Sequence, residues 1–234
     1  MLLYLVRHGD PDYVTDTLTE RGWLQAEAVG KRIAASGINK IYSSPMGRAR
    51  QTAEPACRLL GLTPEIEDWS HEVEDERLTP YPDGILKSVT KLPNTVLRAN
   101  GNIDLPFDRT LEATGLNQAN MQAACDRIIN GGREFLERLG YREENGIYKI
   151  LKSSSDRVAL FCHAVMQRVW ISQLLHIPLH LVWASFTPTH TGVTVLDFKN
   201  YSDGFTAPKC LCFSDMSHLY AEGLDMIHDN EFDI

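Results

Sequence analysis

The first 61 residues alternate between strand and helix patterns, and this alternation constrains the fold more than any other feature of the sequence. Leu2 to Val6 is a short, continuous apolar run that ends at a charged turn, which is typical of a strand buried on both faces. Apolar residues at helical spacing follow between Thr19, a suitable N-cap, and Gly37, a suitable left-handed stop. The pattern therefore begins as a strand followed by a helix.

A second strand and a second helix come next. Ile38 to Ser43 predicts the strand, and Pro45 fits the first turn of a helix that ends at Gly61. A β-α-β-α order predicts a parallel sheet covered by helices, with functional loops at the carboxyl ends of its strands.

The middle of the chain has a different character. It is acidic from Ile66 to Pro82, and from there to about Gly115 it is rich in Pro, Gly, Asn and Asp with little periodicity. A helical pattern resumes from Asn117 to Leu139. We expect one domain over residues 1–234, with a cap-like insertion at about 80–145 that selects the substrate.

The later part of the chain returns to the earlier pattern. Ile147 to Leu151 and Arg157 to Phe161 predict two strands joined by a Ser-rich turn, and Val165 to His176 predicts a helix. Val193 to Phe198 predicts a last strand, while the tail beyond Asn200 gives no strong signal. The expected fold is a three-layer α/β sandwich, in which a mainly parallel sheet lies between helices.

Composition excludes several classes of protein. The formal net charge is −8, from 23 Lys and Arg against 31 Asp and Glu, and this argues against nucleic acid as the main partner. A membrane span is not expected, because no run approaches about 20 consecutive apolar residues. Met1 to Val6 is interpreted as a strand and not as a signal sequence. Five cysteines without disulfide-framework spacing favour a reducing cytoplasm.

Three separated clusters carry residue types suited to phosphoryl transfer. Arg7 and His8 follow the first strand, Arg48 opens the second helix, and His163 follows a later buried strand. A neutral imidazole can attack phosphorus and form a phosphoramidate, which is the role predicted for His8. Arg7 and Arg48 offer planar, permanently charged forks for phosphate oxygens, and His163 can add a further donor. We expect these four side chains to converge at one edge of the sheet.

These clusters belong to longer motifs, and the motifs resemble the histidine phosphatase superfamily, also called the phosphoglycerate-mutase-like family. The segments that carry the resemblance stand in the family's order: Leu5-Val6-Arg7-His8-Gly9, Leu18-Thr19-Glu20-Arg21-Gly22 with Gln25-Ala26, Tyr42-Ser43-Ser44-Pro45, Arg48-Ala49, Gln51-Thr52-Ala53, the strand ending in His163, and Thr191-Gly192-Val193. One departure is Ala164, since family members more often have Gly after the second histidine. The similarity covers roughly the first sixty residues and the 157–198 region.

The resemblance implies a function as well as a fold. By it, His8 is the nucleophile, Arg7, Arg48 and His163 form the phosphate pocket, and neither a metal nor a cofactor is required. Similar proteins also take a proton donor from the segment after the second helix. The leaving alkoxide needs such a proton, and the second step needs a base for water.

The proton donor is expected in the acidic segment that follows the second helix. Glu72 is the predicted acid, because an aromatic residue shortly before it could help to desolvate the carboxyl group. Glu74 and Asp75 remain alternatives. His190 precedes the last predicted strand and could line the substrate site, whereas Trp23 and Trp170 are interpreted as core residues on helix faces.

The predicted function is hydrolysis of a small phosphorylated substrate through a phosphohistidine intermediate. A phosphoglycerate-type mutase is the close alternative; it is less favoured because family mutases usually place an Asn and further polar residues after Gly9, where this chain has Asp10-Pro11-Asp12-Tyr13. A non-catalytic, phosphate-binding regulatory protein of the same family is the third possibility.

Overall fold

The structure is a computed structural model of the 234-residue chain. It describes residues 1–73, 78–80, 86–88, 92–99, 101–113, 116 and 121–228. Its strands are β1 (Leu2–Arg7), β2 (Pro11–Asp12), β3 (Thr17–Leu18), β4 (Lys40–Ser43), β5 (Glu65–Ile66), β6 (Leu78–Pro80), β7 (Leu86–Ser88), β8 (Tyr141–Glu144), β9 (Ile147–Ile150), β10 (Arg157–Cys162), β11 (Val193–Asp197), β12 (Phe205–Thr206) and β13 (Lys209–Asp215). Its helices are α1 (Glu20–Ala35), α2 (Gly47–Leu60), α3 (Asn94–Arg98), α4 (Gln122–Arg138), α5 (Ala164–Leu175), α6 (Leu179–Ser185) and α7 (Ser217–Ala221), with short 3-10 helices at Asp68–Ser70, Asn102–Asp104 and Phe107–Glu112.

The central sheet has the strand order β13-β11-β1-β10-β4-β5. β1, β10, β4 and β5 run parallel to one another, and β11 joins β1 in the antiparallel sense. β13 pairs antiparallel with β11. The sheet is therefore mainly parallel, as predicted from the strand and helix alternation.

Helices cover both faces of this sheet, so the predicted three-layer α/β sandwich is confirmed. Alternate residues of β1 and β10 enter two separate cores because successive side chains of a strand point to opposite faces. One core joins the sheet to α1 and α2 and includes Tyr4, Val6, Val29, Ile33, Ala53, Ala56, Ala159 and Phe161. The other joins the sheet to α4 and α5 and includes Leu3, Leu5, Ile128, Phe135, Leu160, Val165, Val169 and Trp170.

The ends of the first two helices follow from their local sequence. The Thr19 side chain caps α1 by accepting from the Gly22 amide, as predicted. α2 ends at Gly61, as predicted, and Gly61 has the left-handed conformation. Its start was predicted wrongly: Pro45 precedes the helix, the extended residue Met46 is the N-cap, and the first helical residue is Gly47.

The two strands predicted on either side of the Ser-rich turn are confirmed as β9 and β10, and they belong to different sheets because β9 pairs with β8 and β12 in a separate three-stranded sheet. One expectation for the second half of the chain is wrong. Val193–Asp197 is not the last strand, since β12 and β13 follow it. β13 lies at the sheet edge with most of its side chains half-buried, which explains its weak apolar pattern.

The middle region contains the predicted long helix, shortened to Gln122–Arg138. Residues 117–120, where the pattern placed its start, lie outside the described residues. Trp170 is 1% exposed, as expected for a core residue, whereas Trp23 is only half-buried on α1. None of the helices in the described ranges is long and apolar enough to cross a membrane.

Close packing between α1 and α2 generates a stability prediction. A Cβ added at Gly30 would lie 2.7 Å from Pro55 Cβ and 3.0 Å from the Ala56 amide nitrogen, which belongs to the main chain and cannot turn aside. We expect Gly30→Ala to lower the free energy of unfolding by about 1–3 kcal/mol, the usual cost of overpacking a core. Urea unfolding measures the difference. Leu24→Ala on the exposed side of α1 is the control, expected to change it by less than about 0.5 kcal/mol.

Candidate active site

Three parts of the chain meet at the carboxyl ends of β1, β10 and β4. The His8 amide donates to the Cys162 carbonyl at 3.0 Å, and the Ser44 amide donates to the Phe161 carbonyl at 2.9 Å. The sheet ladder thus continues one residue past each strand. The four pocket side chains predicted from sequence, Arg7, His8, Arg48 and His163, come together here, and they are 3%, 1%, 2% and 0% exposed.

The His8 ring is oriented by its own backbone neighbour. Nδ1 lies 2.7 Å from the Gly9 carbonyl oxygen. Because a carbonyl only accepts, Nδ1 carries the proton and the lone pair of the neutral ring is on Nε2. The Gly9 amide donates to Thr52 Oγ1 at 2.9 Å, and a Cβ at Gly9 would lie 2.8 Å from the Gly22 carbonyl oxygen. This close approach explains why glycine follows the histidine.

His163 lies beside His8, with the two ring centroids 5.2 Å apart. Its Nε2 is 2.7 Å from Ser44 Oγ, which fixes the ring at the end of β10. Its buried Nδ1 has no hydrogen-bond partner among the described residues. One face of the pocket therefore holds a buried imidazole nitrogen that a ligand atom could reach.

The two guanidinium groups are held from different sides. Arg7 Nη1 donates to the Pro188 carbonyl at 2.7 Å. Arg48 Nη1 donates to Asp16 Oδ1 at 2.5 Å, and the other carboxylate oxygen of Asp16 accepts from the Gly47 amide at 2.6 Å. Asp16 thus ties the start of α2 to the loop after β1, a contact that the sequence analysis did not anticipate.

The electrostatics of the pocket favour neutral imidazoles. Burial, together with the charges of Arg7 and Arg48, holds the pKa of His8 well below its ordinary value. Burial also lowers the pKa of His163, with further contributions from His8, Arg48 and Arg7. Two permanent cations and uncharged histidines therefore surround the same small space. Such a site suits an anion with several oxygens, and a neutral His8 is the form that can act as a nucleophile.

His190 also reaches the pocket, in agreement with its expected place near the substrate site. Its ring centroid is 5.5 Å from that of His8, and its Nδ1 lies 3.6 Å from Asp10 Oδ1. Burial, Arg7, His8 and Arg21 lower the pKa of His190 well below its ordinary value. A third uncharged imidazole thus flanks the predicted nucleophile.

Tyr13 is the pocket neighbour that sequence reasoning missed. Its ring stands edge-on to His8, with centroids 6.4 Å apart at 89°, and the Arg48 Cζ atom lies 5.3 Å from the ring centroid. Only its position in the sequence could have indicated this place, since Tyr13 lies in the short segment between the end of β1 and the start of α1.

Glu72 lies behind His163, where its carboxylate accepts hydrogen bonds at the start of α5. The Val165 amide donates to Oε2 at 3.1 Å, and the Met166 and Val73 amides donate to Oε1 at 3.0 Å each. These donors fix the position of the carboxylate at the start of α5. The alternative acids Glu74 and Asp75 lie outside the described residues.

The described residues contain no group of three or more His, Cys, Asp or Glu side chains arranged to hold a metal ion. What the site does hold is two histidines, two arginines and amide groups at the ends of parallel strands. Fold and site together define a class of α/β protein with a pocket for a tetrahedral anion.

Comparison with known proteins shows which proteins this chain is similar to. Residues 3–78 match the histidine phosphatase superfamily (branch 1). A probable phosphoglycerate mutase, GpmB, from Salmonella paratyphi B is 25% identical over 238 residues, which cover 95% of this chain and 97% of that protein. These matches confirm the resemblance to the histidine phosphatase superfamily that the sequence motifs indicated.

Solved structures agree with the assignment of the fold. A phosphoserine phosphatase variant from Entamoeba histolytica, determined with phosphoserine, superposes with a TM-score of 0.61 at 20% identity and covers 93% of this chain and 98% of that one. A mycobacterial glucosyl-3-phosphoglycerate phosphatase gives a TM-score of 0.60 at 17% identity, covering 91% and 98%. Both similarities extend over nearly the whole chain.

The buried histidines generate a prediction about pH. The folded-state pKa values of His8, His163 and His190 lie below that of an exposed imidazole, so the unfolded chain takes up protons first as the pH falls below about 6.5. Their contribution to stability is complete above that pH and is lost as the pH falls, by about 1.4 kcal/mol per pH unit for each proton. Urea unfolding between about pH 7 and about pH 5 measures the slope. A His190→Asn variant should give a shallower slope, and an unchanged slope contradicts the neutral state of His190.

Proposed function

We propose that the protein hydrolyses phosphomonoesters of small molecules through a phosphohistidine formed on His8. The observation that carries the proposal is the orientation of the His8 ring. Its Nδ1 proton is directed to the Gly9 carbonyl, so the lone pair on Nε2 is available within a pocket that also contains Arg7 and Arg48.

The reaction proceeds in two displacements. In the first, the lone pair of His8 Nε2 attacks phosphorus and the bond from phosphorus to the ester oxygen breaks, so that its electron pair leaves with that oxygen. In the second, the Glu72 carboxylate, which gave its proton to the leaving oxygen in the first step, takes a proton from water as the water oxygen attacks phosphorus, and the phosphorus–nitrogen bond breaks with its electron pair returning to Nε2. The charge on the equatorial oxygens is stabilised by Arg7 and Arg48, and the buried Nδ1 of His163 can donate to one of them when protonated.

The substrate class is a small phosphorylated molecule. One protein of similar fold was solved with phosphoserine and another is named a glucosyl-3-phosphoglycerate phosphatase, and both names refer to small phosphate esters. The net charge of −8 argues against a nucleic-acid substrate. The five cysteines are free thiols, which supports a reducing, cytoplasmic setting.

The proton donor in this proposal is Glu72. Its place next to the start of α5 brings a buried carboxyl group to the same end of the sheet as His163. The role of a general acid requires that this carboxyl group hold a proton for the leaving oxygen. That requirement makes the role open to direct test.

A phosphoglycerate-type mutase is the second candidate, because the relatives at 25% identity carry that name. A mutase returns the phosphoryl group from the histidine to a second hydroxyl of the substrate instead of to water. The two reactions share the first displacement and differ in the acceptor, so they are separated by product analysis.

We expect His8→Ala to abolish the hydrolysis of p-nitrophenyl phosphate, with a loss of at least about 1,000-fold, because the variant lacks the imidazole nitrogen proposed to attack phosphorus. Release of nitrophenolate measures the rate, and trapping of acid-labile phosphohistidine in wild type measures the intermediate. His176→Asn is the matched control, since His176 stacks on Phe107 outside the pocket and Asn tolerates its left-handed backbone.

Two outcomes would change the assignment. Phosphate binding by wild type without any release of nitrophenolate between about pH 5 and about pH 8 indicates the non-catalytic family member. Rapid formation of 2-phosphoglycerate from 3-phosphoglycerate with a bisphosphate primer indicates the mutase.

The acid role of Glu72 predicts a dependence on the leaving group. Nitrophenolate is a stable anion, whereas the alkoxide of glycerol 2-phosphate leaves only with a proton. We expect Glu72→Gln to slow glycerol 2-phosphate hydrolysis about 100-fold more than p-nitrophenyl phosphate hydrolysis. Steady-state rates for both substrates measure the ratio.

Glu67→Gln is the control for this experiment. Glu67 lies in the same acidic segment, but its carboxylate bonds Trp69 Nε1 and Arg138, away from the pocket. An equal loss for both substrates in Glu72→Gln would assign Glu72 to holding the start of α5 and His163, not to proton transfer.

A further inference from the structure

The burial of the pocket limits where the organic part of a substrate can lie. The four groups proposed to surround the phosphate are 3% exposed or less. A phosphoryl group can be enclosed among them, but the group attached to its ester oxygen has to extend toward solvent. The residue that contacts the pocket and is itself exposed therefore marks the path of the leaving group.

Tyr13 is such a residue. It is 43% exposed, and it contacts three of the four pocket side chains. Its ring edge meets His8, one ring face covers the Arg48 guanidinium, and its hydroxyl hydrogen-bonds Arg7. With the hydroxyl engaged by Arg7 and one face on Arg48, Tyr13 offers a neighbouring group the apolar carbons of its ring.

The loop that carries Tyr13 is fixed at both ends. β2 pairs with β3, so Asp12 lies opposite Thr17. Asp12 Oδ1 accepts from the Val14 amide at 2.9 Å, directly after the tyrosine. Asp16 then binds the Gly47 amide and Arg48, which anchors the far side of the loop to α2. The position of the ring thus follows from a short, closed hairpin and not from the side chain alone.

We propose that the exposed surface of the Tyr13 ring is the wall against which the leaving group of the substrate packs. Tyr13 is then a specificity-determining residue that favours a flat, apolar group next to the phosphate over a polyol. An aromatic group gains an offset or edge-to-face contact with the ring, whereas a polyol leaves its hydroxyl groups facing apolar carbon. This inference rests on the proposed phosphatase activity.

The test compares two esters whose leaving alcohols are of similar acidity, benzyl phosphate and glycerol 1-phosphate. We expect Tyr13→Ala to lower kcat/KM for benzyl phosphate about tenfold more than for glycerol 1-phosphate. Tyr13→Phe should keep the wild-type ratio of the two values, because it retains the ring. The ratio is insensitive to a general loss of active enzyme, which lowers both values equally.

Tyr201→Ala is the matched control. Tyr201 is also exposed and also covers a cation, Lys199, but it lies outside the pocket. The ratio of kcat/KM for benzyl phosphate to kcat/KM for glycerol 1-phosphate should be the same in Tyr201→Ala as in wild type. An equal loss for both esters in Tyr13→Ala overturns the inference, as does a loss of the benzyl preference in Tyr13→Phe.

Binding of non-hydrolysable phosphonates separates this inference from the proposed activity. Calorimetry measures the dissociation constants of benzylphosphonate and methylphosphonate and so tests the same contact without turnover. We expect Tyr13→Ala to weaken the binding of benzylphosphonate about tenfold and to leave the binding of methylphosphonate unchanged. If wild type hydrolyses neither ester but Tyr13→Ala still weakens the binding of benzylphosphonate alone, the phosphatase proposal fails while the proposed contact with Tyr13 is supported. If Tyr13→Ala weakens both phosphonates equally, or if wild type binds neither, the contact with Tyr13 is refuted.

Discussion

The parallel pairing of β1 with β10 is the interaction on which the rest of the site depends. Arg7 lies opposite Cys162 in this register, so His8 and His163 leave neighbouring strands at the same level. A slip of one residue would turn Leu3 and Leu5 toward the wrong layer and expel them from their core. The register between β1 and β10 thus sets the separation of the two imidazoles.

The pocket keeps charge where solvent cannot reach it. Burying a guanidinium is costly unless hydrogen bonds replace water, and here Pro188 and Asp16 provide them for Arg7 and Arg48. The histidines between the arginines respond to the same burial by remaining neutral. One physical condition, the exclusion of water, therefore both concentrates positive potential and keeps His8, the proposed nucleophile, unprotonated.

Much of this arrangement was predictable, because the informative residues follow directly from strong local patterns. β1 and β10 are continuous apolar runs, Thr19 and Gly61 are clear helix boundaries, and residues at the ends of parallel strands necessarily meet at one edge. The α/β fold and the convergence of His8 and His163 follow from these elements alone.

Other features depend on contacts that no local pattern encodes. Asp16 and Tyr13 reach the pocket only because β2 and β3 close a hairpin whose strands have two residues each. β13 is recognisable as a strand only through its partner β11, since its own side chains are half-buried and weakly patterned. Within the acidic segment, Glu67 pairs with Arg138, whereas Glu72 accepts from the Met166 amide at the start of α5. These partners are distant in sequence, so the segment alone does not show which carboxylate is near the pocket.

In the proposed reaction, the ion pair between Asp16 and Arg48 has a consequence for the departure of inorganic phosphate. The carboxylate holds the guanidinium in position before any ligand arrives, so little side-chain entropy remains to be lost on binding. The same carboxylate would stay beside the bound anion and repel it. Asp16 would thereby shorten the residence time of the product, so that a pocket with two buried cations could still release phosphate before the next cycle.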